Sequence, residues 1–157
     1  MAPTGISTHN VLVAEDDKVA VTLINQRHGF SPERLSLTFE KQMDPDVDIV
    51  PHNAAYRGFR SELGSLPVNL RLIAVAAEKA TAYTSWCFVG KTPETEQAVV
   101  ESWKNAKERD EALWLLMIPV QEIRHVLTEE VKPSTIREFI RGGTLPDTTI
   151  NLHPTAL

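Results

Sequence analysis

Residues Leu66 to Val89 are the least polar long stretch of the chain, LPVNLRLIAVAAEKATAYTSWCFV, and Gly90 follows. Its only formal charges are Arg71, Glu78 and Lys79. At helical spacing the apolar side chains fall on nearly every face. That pattern predicts a helix buried all round rather than a one-sided surface helix. Alanines at 74, 76, 77, 80 and 82 would let neighbouring helices approach closely. The architecture expected is therefore all-α, six or seven helices packed around a central buried helix at about 67–88.

The flanking sequence is read in the same terms. Residues 1–10 are polar, carry Pro3 and Gly5, and are expected as a flexible arm. Residues 11–28 admit two readings. Valines and a threonine suit a hairpin, but no Asn-Gly or Asp-Gly marks its turn. A helix from Asp17 to His28 has acids in its first turn, Arg27 and His28 in its last, and Gly29 as its stop. The helix is preferred and the hairpin stays open. Ser31-Pro32-Glu33 has the cap, proline and acid of a second helix, with Leu35, Phe39 and Met43 on one stripe. A short helix follows through Tyr56, Phe59 and Leu63, ended by Gly64. Thr92-Pro93-Glu94 opens another, with Val99, Val100, Trp103 and Ala106 as its apolar face. Further helices are expected at Glu111–Ile118, at Val120–Glu130, and from Pro133 to Gly142-Gly143. Residues 144–157 are a polar tail, so the single helical domain spans 11–143.

Composition narrows the classes. The chain has 157 residues, a length suited to one domain, and 42% hydrophobic residues. Sixteen Lys and Arg face 21 Asp and Glu, and a net charge of −5 argues against nucleic-acid binding through bulk charge. One cysteine excludes an internal disulfide and a cysteine-based metal cage, and suits a reducing compartment. No uncharged apolar run reaches the 18 or so residues needed to span a bilayer. The N-terminal MAPTGISTHN lacks a basic region followed by an apolar one. The expectation is a cytoplasmic protein without a membrane partner.

The segment GSLPVNLRLIAVAAEKATAYTSWCFVGKTPETEQAVVESW resembles the core of the AhpD-like/carboxymuconolactone decarboxylase family. Its shared parts are a leucine-proline loop, an arginine-containing apolar helix, a Tyr/Trp/Cys cluster, and a helix start rich in small residues and glutamate. HNAAYRGFRSEL is similar to the short helix before that core, and the likeness covers about residues 50–141. The resemblance implies a helical fold, a trimer or hexamer, and an apolar pocket beside the central helix. The family's redox motif is incomplete. Cys87 matches the second cysteine, but Thr84 stands at the first, Lys91 at the histidine and Leu72 at the glutamate. A dithiol needs one thiol to attack and another to resolve. Glu78, nine residues before Cys87, would lie on the opposite side of a helix.

Other constellations are weaker. Glu122 and His125 are spaced to share a metal on a helix, but a di-iron bundle needs two such pairs and further glutamates. Asp44, Asp46 and Asp48 alternate as in a calcium loop, yet Ile49 and Ala55 stand where glycine and glutamate are required. No GxxxxGK[ST], GxGxxG or GxSxG is present. Neither a cofactor nor a metal is expected. Cys87 is read foremost as a small buried hydrophobe.

Two function classes remain. One is a non-redox small-molecule enzyme of lyase, decarboxylase or isomerase type. Its candidate catalytic residues are Tyr83 and Cys87, four apart on one helix face, with His52 and Arg57 reaching across from the preceding helix. The other is a non-catalytic self-assembling or interaction protein. The aliphatic content and three tryptophans make a homo-oligomer the expected state in either case.

Overall fold

The computed structural model describes residues 5–24, 34–37, 39–77, 83–109, 112–128, 137–143 and 153–154. Its elements in chain order are β1 (Gly5–Val13), β2 (Lys18–Ile24), β3 (Arg34–Ser36), β4 (Phe39–Gln42), α1 (Pro51–Gly58), β5 (Asn69–Ala77), β6 (Tyr83–Lys91), α2 (Glu96–Lys104), β7 (Ala112–Pro119), α3 (Ile123–Thr128), β8 (Ile140–Gly143) and β9 (His153–Pro154). The class is α/β, not all-α. Among the described residues one mixed sheet of nine strands dominates, with three short α-helices against it.

The stretch expected as the central helix is a strand pair. β5 and β6 run antiparallel, from Asn69 opposite Lys91 to Ala77 opposite Thr84, with a bulge at Ile73. Thr84, Trp86, Phe88 and Val89 are strand formers, and β6 is gripped on its other side by β1, in parallel from Gly5–Tyr83 to Val13–Lys91. The two halves of the stretch have opposite fates. β6 lies inside the sheet, whereas β5 is an edge strand, with Ile73 58% exposed and Ala77 also in solvent. Apolar residues all round a helical wheel are equally apolar residues on both faces of a strand, and the wheel alone does not separate them.

The hairpin at 11–24 is present, so the preferred helix from Asp17 is corrected. The Ala14 carbonyl accepts from Asp17 N–H at 3.1 Å, and Ala14 N–H donates to the Lys18 carbonyl at 2.8 Å. Asp17 takes φ 55°, a left-handed conformation that aspartate tolerates better than most side chains. The turn closes without Asn-Gly. Gly5 to Asn10, expected in a loose arm, belong to β1 in the middle of the sheet. The expected helix after Pro32 is replaced by β3 and β4, and that expected at 111–118 by β7; residues 25–33 and 129–136 lie outside the described residues.

β1 and β2 meet only near their shared turn, at Val13 and Val19, and then splay. β1 takes β4 along its inner edge, Ser7–Gln42 to Asn10–Phe39, while β2 takes β3. Beyond β2, the full length of β7 pairs antiparallel, followed by β8. Two half-sheets thus share one hinge: β5-β6-β1-β4 and β8-β7-β2-β3.

β2 and β7 are buried on both faces. Val19, Val21, Leu23, Trp114, Leu116 and Ile118 feed one apolar cluster with Val126 of α3. Ala20, Leu115 and Met117 feed another with Phe59, Leu63, Val99 and Trp103. Strands covered on both sides read as continuous apolar runs, which is why ALWLLMI passed for a helix. α1 and α2 are where the sequence placed helices. Pro51 stands in the first turn of α1, Asn53 Oδ1 accepts from Ile49 and Val50 N–H at 3.1 Å each, and the helix runs on through a π-turn at Phe59–Leu63 to Gly64 at φ 70°. Thr95 Oγ1 caps α2 by accepting from Ala98 N–H at 3.4 Å. No helix among the described residues is long and apolar enough to cross a membrane.

Candidate ligand-binding site

Strand alternation sorts the four sequence-derived site residues onto two sides of the half-sheet. Even-numbered residues of β6 face α1: the His52 ring meets Phe88 edge-on, centroids 4.8 Å apart. Odd-numbered residues point the other way. Tyr83 and Cys87 share a face, as four residues apart do on a strand too, but the sheet stands between them and the α1 residues His52 and Arg57. Arg57 is also engaged. Its Nε donates to Asp48 Oδ1 at 2.8 Å, and its Nη2 donates to Asp48 Oδ2 and to the Gln42 carbonyl. The pair pins the β4–α1 loop, and the Arg57 hydrogen bonds hold the Asp48 carboxyl below the usual aspartate range.

The face carrying Tyr83 and Cys87 holds residues the sequence reading did not single out. His9 is the register partner of Cys87. Its Nε2 lies 3.1 Å from Ser85 Oγ, and its Nδ1 lies 3.3 Å from Glu40 Oε1. The direction of the His9–Ser85 hydrogen bond depends on the imidazole tautomer. Tyr83 sits over Gly5, where a Cβ would come within 2.2 Å of the ring. Arg71 of β5, opposite Val89, projects from the same face; it is exposed and makes no ion pair among the described residues. The other end of this face is apolar, with Val11, Val13 and Val89 packed into the β2–β7 cluster. The result is a floor with an apolar end, a hydrogen-bonding middle and a cation at the β5 edge.

Ser85, His9 and Glu40 have the order of a nucleophile, base and orienting acid. The setting does not suit acyl transfer. β6 is paired on both sides, so the backbone N–H groups beside Ser85 are taken by the ladder and no donor pair is left for an oxyanion. Burial pushes the Cys87 thiol up, which keeps it protonated and a poor nucleophile. Ser85, His9 and Glu40 form a connected polar set in the middle of this face. The signal for them was the alternation in STHNVLV and YTSWCFV, which sets Ser7, His9, Tyr83, Ser85 and Cys87 on one face once the segments are strands.

No family model matches the sequence, and no curated protein matches it. Solved structures do match. The NUDIX domain of Shewanella oneidensis NrtR, in complex with ADP ribose, superposes with a TM-score of 0.58 at 10% identity, covering 80% of this chain and 79% of that one. A mutT/nudix family protein from Listeria innocua gives 0.57 at 13% identity, with 80% and 84% covered. An ADP compounds hydrolase gives 0.54 at 16%, with 78% and 62% covered. The fold is that of the NUDIX domain. The AhpD-like resemblance is thereby overturned, since the helical core it required is the β5–β6 pair. The lyase, decarboxylase or isomerase expectation rested on that core and falls with it.

Metal-assisted cleavage of a phosphoanhydride requires carboxylates grouped around a divalent cation. Among the described residues the donor set does not fit one. Among the described residues no three His, Cys, Asp or Glu side chains could hold a metal ion. The run from Arg57 to Leu63 offers one carboxylate, Glu62, beside Gly58, Arg60 and Ser61. The Lys41 ammonium lies 3.4 Å from Ser61 Oγ and 3.1 Å from both Glu108 oxygens, and a second cation there would be repelled.

Proposed function

We propose that the protein binds a small molecule of the nucleoside diphosphate class, with ADP ribose as its representative, and recognises it without metal-assisted hydrolysis. The observation that carries this reading is the floor beside β1 and β6. Its His9–Ser85–Glu40 set offers donors and acceptors to a base or sugar, Tyr83 offers a ring, and Arg71 offers an unpaired guanidinium to a diphosphate. The likeness to a NUDIX domain in complex with ADP ribose supports the choice of ligand class.

A hydrolase is the second reading, favoured by the likeness to an ADP compounds hydrolase. Calorimetry with ADP ribose, with and without magnesium, tests the first reading, and chromatography of the same mixtures separates the two. Binding that does not require magnesium, with ADP ribose recovered intact, is expected. Arg71→Ala should weaken it about tenfold or more, the loss of a charge-assisted hydrogen bond of roughly 1.5–3 kcal/mol. Accumulation of AMP would establish the hydrolase. Absence of binding in both buffers would remove the ligand class.

A further inference from the structure

Lys41 is threaded between β4 and α1. Its backbone is set by β1, where it lies opposite Thr8, and the Thr8 hydroxyl donates to the Lys41 carbonyl at 2.9 Å. Its stem passes α1 at Gly58. A Cβ on that glycine would stand 3.3 Å from Lys41 Cβ and 3.2 Å from Asn10 Nδ2, so a larger residue would crowd the lysine. The ammonium ends 3.1 Å from both Glu108 oxygens and 3.4 Å from Ser61 Oγ. Glu108 N–H donates to the Ser61 carbonyl at 2.7 Å, which ties the turn carrying Glu108 to the π-turn carrying Ser61 and Glu62.

The groups around this lysine are hard oxygens of the kind that divalent cations take. Glu108 gives a carboxylate and Ser61 a hydroxyl. The Glu62 carboxylate lies close by, with Oε2 3.9 Å from the Cβ position at Gly58. Asn10 brings an amide to the same spot and is fully buried. Its Nδ2 donates to the Phe39 carbonyl and to Thr8 Oγ1, while its Oδ1 has no hydrogen-bond partner. A buried oxygen of that sort is ordinarily satisfied by a water or an ion.

We infer that Lys41 is a built-in cation standing in a divalent-ion site: its ammonium takes up Glu108 and Ser61 and keeps the site closed to metal. This rests on the reading of a protein that recognises its ligand without metal-assisted hydrolysis, and it names the residue responsible. An ordinary surface ion pair joins two flexible side chains and holds little in place. Here the lysine stem runs past a glycine, and its partners come from two segments 20 and 67 residues away in sequence. A divalent ion bound to Glu108 at its usual oxygen distance would sit within about 5 Å of the ammonium and be repelled. Without the lysine, the same oxygens surround the space it leaves.

Manganese(II) alone is the probe, with no nucleotide present, so the outcome does not depend on whether ADP ribose binds. Titration followed by electron paramagnetic resonance should show Lys41→Ala binding one ion at least tenfold more tightly than wild type. Adding Glu108→Gln to that variant should abolish the gain. Lys41→Gln removes the charge and keeps most of the stem, and it should shift affinity the same way if the alanine variant does not fold. A further measurement needs no variant. In the wild type, manganese should broaden the amide signals of Ser61, Glu62 and Glu108 no more than those of the rest of the chain. Preferential broadening at those three residues would overturn the inference. So would a folded Lys41→Ala or Lys41→Gln protein that gains no affinity, or a gain that survives Glu108→Gln. Release of AMP from ADP ribose would count instead against the reading on which the inference rests.

Discussion

Arg57 belongs to the framework of the protein. Its partner Asp48 has a side chain only 1% exposed, while the guanidinium is 33% exposed. Arg57→Ala strands that carboxylate, and the expected loss is about 1–2 kcal/mol, held to the low end because solvent reaches the arginine. Urea unfolding measures it. The hydrogen bond from Arg57 depresses the folded Asp48 value, so the pair stabilises fully above the usual aspartate value of 3.8 and fades as pH falls through the lower folded value. The gap between wild type and Arg57→Ala should therefore persist at pH 7 and pH 5 and close in stronger acid. Cys87 makes the opposite case. Burial raises its thiol above the ordinary 9.0, so iodoacetamide should modify it more slowly at pH 8 than it modifies an exposed cysteine, as followed by mass spectrometry. Neither behaviour was legible in the sequence. Asp48 and Arg57 are nine apart, and Cys87 has one identity in a helix and another beside His9 in a sheet.

α2 is tied down at its first turn. Glu96 bonds Lys18 of β2 and Arg141 of β8. Burial pushes the Glu96 carboxyl up, and the two hydrogen bonds outweigh it, so it titrates below 4.5. Glu96→Gln should cost about 1–2 kcal/mol at neutral pH, an effect present above the usual glutamate value and lost as pH falls through the folded one. At the other end of α2, Trp103 lies on β8. A Cβ at Gly142 would come within 2.6 Å of Trp103 Cζ3, so Gly142→Ala should lower thermal stability by about 1–3 kcal/mol through overpacking. The helices α1 and α2 could be read from the chain because caps, prolines and one-sided apolar stripes are local signals. β6 and β7 could not, because their burial on more than one side depends on partners far away in sequence.

At the scale of the molecule, order should follow pairing. β2 and β7 are paired along their length and buried on both faces, so their amides should exchange most slowly with deuterium. Mass spectrometry of exchanged peptides measures this. The acidic balance, the single thiol, the helices at α1 and α2 and the turn at Gly64 follow from the amino-acid sequence, because each depends on composition or on neighbours within a turn or two. The α/β class does not, nor do the positions of the strands beyond the hairpin that the sequence left open at 11–28. An apolar stretch such as Leu66–Val89 is compatible with a buried helix or with paired strands until β1 is in place to choose. The same holds for the candidate site. His9, Glu40 and Ser85 come from three strands separated by dozens of residues, and only the parallel register of β1 with β6 and the antiparallel register of β1 with β4 brings them within hydrogen-bonding distance.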